Sequence, residues 1–174
     1  MKYLVKFFVV TFFLILSTHT FAEQKIVVLD MTYVLNNSKA GKEAQDVLKK
    51  KFNDNAKKFS ELEKSLKKEE TDLLGKKTIL SKDEYTKKSD SLRKKVADYQ
   101  LQRRSSIDKL AKQRGAARQT LIKEVRPMLD SYIEENSISI VIDKKNMLGG
   151  LTKFDITKII VEKLDKEFPS LNLQ

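Results

Sequence analysis

Along the middle of this chain the apolar residues recur at alternating three- and four-residue steps. One run reads Leu48, Phe52, Asn55, Phe59, Leu62, Leu66, Glu69 and Leu73. A second reads Tyr85, Ser89, Leu92, Val96, Tyr99, Arg103, Ile107 and Leu110. This is the heptad spacing of helices that pack along a seam. A fold-back at residues 75–81 sets Leu73 against Tyr85, Leu66 against Leu92, Leu62 against Val96 and Phe59 against Tyr99. The polar interruptions then meet each other: Glu69 falls opposite Ser89, and Asn55 opposite Arg103. A polar seam residue costs least beside another polar one. The pattern therefore predicts an antiparallel coiled-coil hairpin in a single register, with Phe52, Phe59 and Tyr99 as seam packing.

Local signals place the remaining elements. KIVVLDM at residues 25–31 is a short β-branched run and reads as a strand buried on both faces. Residues 32–37 make a helical turn, and Ser38 is a cap for a first long helix over 38–74. Gly75 ends that helix, and Ser81-Lys82-Asp83-Glu84 is a capping box that starts the second. The second helix outruns the first through Ala117, Leu121, Val125 and Met128. Arg126-Pro127 is expected to kink or break it, because proline costs about 3 kcal/mol inside a helix. After Asn136 the period changes to two: Ile138, Ile140 and Ile142 alternate with Ser139 and Val141, as a strand requires. Met147–Leu151 is a candidate third strand. A final amphipathic helix starts at Asp155 or Thr157 and stops before Pro169.

The expected fold class is α+β and mostly helical. A hairpin arm over 40–126, with its tip near 75–81, projects from a small body formed by 23–39 and 127–174. So small a body with about three strands leaves sheet edges and apolar faces uncovered. Oligomerisation is the simplest way to close it, and Ile26, Val28, Ile138, Ile140 and Ile142 are the candidate residues.

Charge sharpens this picture. The formal net charge is +11, and residues 42–126 hold 25 basic against 14 acidic residues, so the arm carries the surplus. Eight acid-first i,i+4 pairs, such as Asp46–Lys50 and Asp83–Lys87, offer about 0.2–0.5 kcal/mol each. A basic excess remains at the tip, which fits an acidic or anionic partner. Residues 1–22 have the basic start, apolar stretch and Thr20-Phe21-Ala22 ending of a signal peptide cleaved near Ala22. The single histidine, His19, is lost with it, and the chain has no cysteine. Ser-His and Cys-His nucleophiles and the common zinc sites are thereby removed. No enzyme activity, cofactor or metal site is expected.

With these elements in this order, the chain resembles the Skp/OmpH family of periplasmic chaperones. The resemblance rests on KIVVLDMTYVLNNSKAGKEAQ, the Lys-rich hairpin, and ISIVIDKKNML followed by FDITKIIVEKL. It implies a periplasmic homotrimer in which three helical arms project from one shared β-barrel body. It also implies an ATP-independent holdase that binds unfolded outer-membrane β-barrel proteins and keeps them from aggregating before insertion. The resemblance supplies no catalytic residue.

The candidate functional residues are therefore surfaces. Lys76, Lys77, Lys82, Lys87, Lys88 and Arg93 form a basic tip that would steer clients or touch anionic lipid, or else a solvated charged face. Leu74, Ile79, Leu80 and Tyr85 are exposed client contacts or a cap on the coiled-coil end. A structural adaptor in a cell-envelope assembly is the alternative function. Nucleic-acid binding has only the basic arm in its favour, and no nucleic-acid partner is expected.

Overall fold

The computed structural model describes residues 24–173, so the predicted signal peptide lies outside the described residues. Strand β1 spans Lys25–Leu29 and is followed by the short helix α1, Met31–Asn37. The arm is formed by α2, Lys39–Gly75, and α3, Lys82–Glu135. Strand β2, Ile138–Asp143, and helix α4, Thr157–Glu167, complete the body.

The arm begins at Ser38, which closes one helix and opens the next. Its amide donates to the Val34 carbonyl at the end of α1, and its hydroxyl accepts from the Gly41 amide at the start of α2. Gly41 has no room for a side chain, because a Cβ there would run into the Leu35 carbonyl. The 37 residues of α2 make a rod of about 55 Å at 1.5 Å per residue. Lys76 caps its end, and a tight turn closes through the Ile79 and Leu80 amides on the Lys76 carbonyl. The predicted capping box then starts α3: the Ser81 hydroxyl accepts from the Glu84 amide, and the Glu84 carboxylate accepts from the Ser81 amide.

The hairpin register is the predicted one where the rings meet. Phe59 and Tyr99 pack edge to face, with centroids 6.0 Å apart and planes at 70°. Leu66, Leu73, Tyr85 and Leu92 line one crevice nearer the tip. Glu69 is bonded to Lys95 across the arm at 2.6 Å. None of the eight predicted i,i+4 pairs closes to ion-pair distance among the described residues; Arg93–Asp90, at i,i+3, does. Exposed partners gain little in water and lose side-chain entropy when fixed, so they stay solvated.

Pro127 does not break the helix: α3 runs through it for 54 residues to Glu135. A proline there forfeits one helical hydrogen bond. Against that loss, Leu121, Val125 and Met128 are all buried around it in the main core. These three residues pack with Val27, Leu29, Val34, Leu35, Ala40, Ile138, Ile156, Ile160 and Leu164. The body core therefore reaches two turns back along α3 and takes in the first turn of α2.

Strands β1 and β2 run parallel and form a two-stranded sheet among the described residues, not a three-stranded set. Residues 147–151 are irregular, lying between short 3-10 turns at Lys144–Asn146 and Thr152–Phe154. The Asp143 carboxylate accepts from the Lys145 amide and turns the chain out of β2. A bulge corrects the simple period-two reading of β2: Lys25 pairs with Ile138, but Ile26 pairs with Ile140. The extra residue, Ser139, flips the faces. Ile138 is buried in the core and Val141 packs against it, whereas Ile140 is 48% exposed.

Helix α4 and the tail brace the foot of the arm. The Asp165 carboxylate accepts from the Lys39 amide at 2.6 Å, one of the free donors at the start of α2. The Leu171 amide donates to Glu43 at 3.1 Å.

Candidate functional site

The predicted basic residues lie along the turn at the arm tip and the first turns of α3. Ile79 is 79% exposed and Leu74 59%, while Leu80 and Tyr85 are half-buried. Lys76 and Lys77 sit in the turn, and Lys82 is the first residue of α3, with Lys87, Lys88 and Arg93 further along it. Lys76 and Lys77 lie at the negative end of the α2 dipole, which favours them there regardless of any partner. Arg93 is tied to Asp90 at 3.0 Å. The Ser81 hydroxyl and amide hold the Glu84 carboxyl below its usual range, so Glu84 stays anionic beside Lys88.

The body presents a second surface. Ile26, Val28 and Ile142 line a concavity of about 660 Å³ together with Met147, Leu151 and Phe154. Ile140, opposite Ile26 in the sheet, continues the same face. Ile138, predicted to join them, is in the core instead, because the bulge turns it inward. Met147, Leu151 and Phe154 were not anticipated as part of this face. Met147 and Leu151 belong to the run expected to form a third strand, and Phe154 lies beyond it. Leu148 is fully exposed beside them.

A polar cluster ties this surface to the core. Asp155 accepts from the Thr157 amide at 2.9 Å and from Lys144 Nζ at 2.7 Å. The Thr157 hydroxyl accepts from the Asp30 amide at 2.9 Å, and Asp30 caps α1 through the Tyr33 amide. Burial pushes the Asp155 carboxyl up, but the Lys144 ion pair and the Thr157 donors outweigh it and hold it below the usual range. The same pair raises the Lys144 ammonium.

A third opening lies within the arm itself. The seam is closed at Leu48, which is buried, and at Phe59, but Phe52 between them is 58% exposed and Ile107 is 59% exposed. This corrects the expectation that Phe52 is seam packing. The gap is about 280 Å³ and holds the two polar seam residues, Asn55 and Arg103, in its wall. Among the described residues no helix is long and apolar enough to cross a membrane.

The order of these elements (a strand, a long basic hairpin, a second strand and a closing helix) agrees with a known family. The family model for OmpH-like outer membrane proteins matches residues 25–164. The chain belongs to the OmpH-like family. The Skp-like protein of Pseudomonas aeruginosa is 25% identical over 170 residues, spanning 95% of this chain and 99% of its own. The solved structure of an OmpH-like outer membrane chaperone from Caulobacter crescentus superposes with a TM-score of 0.81 at 18% identity, covering 91% of this chain and 94% of that one. That likeness shows that the hairpin-and-body fold of this OmpH-like chain is shared.

Proposed function

We propose that this OmpH-like chain is an ATP-independent periplasmic holdase that binds unfolded outer-membrane β-barrel proteins and prevents their aggregation before insertion. The observation that carries the reading is the arm: a long hairpin with a basic surplus that leaves Leu74, Ile79, Phe52 and Ile107 open to solvent. Apolar groups set among like charges hold an unfolded chain through many weak contacts, while the charge keeps the loaded complex soluble. Outer-membrane barrel strands alternate apolar and polar residues and have no folded state in water, so they need such a partner. The names carried by the related proteins point the same way.

The working form is a homotrimer. The open sheet face with Ile26, Ile140 and Ile142, widened by Met147, Leu151 and Phe154, is the surface that copies of the chain close against each other; Val28, 7% exposed, is already buried within the chain. The tip lysines steer clients and make peripheral contact with anionic lipid. Export depends on the signal peptide over 1–22. The decisive experiment dilutes a urea-unfolded outer-membrane barrel protein into buffer with near-stoichiometric trimer and follows light scattering. Suppression at low salt is expected; unchanged scattering would overturn the reading. Analytical ultracentrifugation at micromolar concentration tests the trimer separately, and monomer alone would refute it.

A further inference from the structure

The opening inside the arm sets two apolar residues of the holdase reading, Phe52 and Ile107, beside a guanidinium that the reading does not use, that of Arg103. A groove runs along the arm from Phe52 to Glu63, and its α2 side carries Phe52, Ala56 and Phe59. The facing wall carries Ile107, Leu110 and Tyr99. Its volume is about 280 Å³, and it is open to solvent, with Phe52 and Ile107 58% and 59% exposed. Six apolar or aromatic side chains line it beside Asn55, Ser60, Glu63, Arg103 and Ser106, so an acyl chain laid over Phe52 and Ile107 would remove apolar surface from water.

The polar groups along the gap are not equivalent. Glu63, at the tip-ward end, accepts from the Tyr99 hydroxyl at 3.2 Å. Arg103 faces Asn55, a neutral residue, and no carboxylate lies within ion-pair distance of it among the described residues. An arginine needs a planar anionic partner to use its fork of donors. The gap thus has an apolar length with one free guanidinium on its wall.

We propose that this gap is a binding site for a medium-chain fatty carboxylate, with the acyl chain between Phe52 and Ile107 and the carboxylate on Arg103. Each arm would carry one such site, within a single hairpin. The site requires neither a partner subunit nor an unfolded client; Phe52 and Ile107 also serve the holdase reading, so the two are told apart by readout, light scattering for clients and calorimetry for the carboxylate.

Decanoate is a suitable probe below its micellar concentration, with decanol and acetate as controls, and isothermal titration calorimetry on the full mature protein as the readout. Saturable binding with one decanoate per chain is expected, with at least tenfold weaker binding of decanol and no binding of acetate. Arg103→Gln should remove most of the decanoate affinity and leave that for decanol unchanged. Ala56→Leu fills the gap from the wall and should abolish both, while circular dichroism checks that the helix content is kept. Lys94→Gln, on the outside of the arm, controls for loss of charge alone and should have no effect. Decanoate binding that survives both Arg103→Gln and Ala56→Leu, equal losses in Arg103→Gln and Lys94→Gln, or no binding at millimolar probe would each overturn the proposal.

Discussion

Truncating Phe52 and Phe59 in turn separates an open seam from a closed one. The two phenylalanines lie seven residues apart on α2, and the heptad pattern gives them equivalent seam positions. The structure does not: Phe59 is 7% exposed and packs on the Tyr99 ring, whereas Phe52 is 58% exposed. Burying a phenylalanine side chain is worth about 2–3 kcal/mol by transfer. The edge-to-face ring pair adds about 1 kcal/mol. Phe59→Ala should therefore cost about 3 kcal/mol. Less than half of Phe52 is covered, it has no ring partner among the described residues, and Phe52→Ala should cost about 1 kcal/mol. With a urea slope of about 2 kcal/mol per molar, the difference of about 2 kcal/mol separates the two midpoints by about 1 M. Urea unfolding followed by circular dichroism at 222 nm measures this directly, with equal slopes as the check that both variants unfold in the same way. Midpoints that fall together would mean the helices close around Phe52, and the gap in the arm would be refuted.

Three further outcomes follow from the body and the caps. Ser38→Ala removes the buried hydroxyl that accepts from the Gly41 amide, and should cost about 1–2 kcal/mol in the same urea assay, the upper range for a cap. Ser137 ends α3 with φ at 51°, a left-handed conformation that favours glycine; Ser137→Gly should raise the midpoint by the equivalent of about 0.5 kcal/mol. The Asp155 carboxyl is held low in the folded protein, so its contribution is complete above the ordinary carboxylate range and is lost as pH falls through its folded value. Asp155→Asn should accordingly flatten the stability profile below about pH 4, and an unchanged acid limb would contradict the Lys144 pairing. The raised Lys144 ammonium acts at the other end: its contribution is complete up to the ordinary lysine range and is lost only above it.

The arm was legible in the sequence because its signals are local or come in matched pairs. Ser81 and Glu84 are three residues apart, and the cap they form needs no knowledge of the rest of the fold. The register followed from complementary defects in two runs, and the Phe59–Tyr99 contact agrees with it. The body was harder to read, because its decisive features depend on residues distant in sequence. Ser139 bulges only against β1, more than a hundred residues earlier, and that one extra residue reverses which isoleucines face outward. Pro127 stays helical because Val125 and Met128 are held in a core that also includes α4. Among the candidate site residues, the tip positions could be placed from the turn alone. The gap at Phe52 could not, since heptad spacing assumes that a seam stays closed.

The parallel pairing of Lys25 with Ile138 also bears on how the chain reaches its fold. Bringing together strands separated by more than a hundred residues of flexible chain costs several kcal/mol of loop entropy before any contact repays it. The hairpin removes most of that cost. Helix formation is local, and α2 and α3 can zip together from the tight turn at Lys76–Leu80, carrying the distant ends toward each other. The C-terminal segment clasps the foot of the arm through Asp165 and the Leu171 amide. In folding, the arm is thus a splint: it turns a long-range closure into a short-range one, and Asp165 and Leu171 then join the body to its foot.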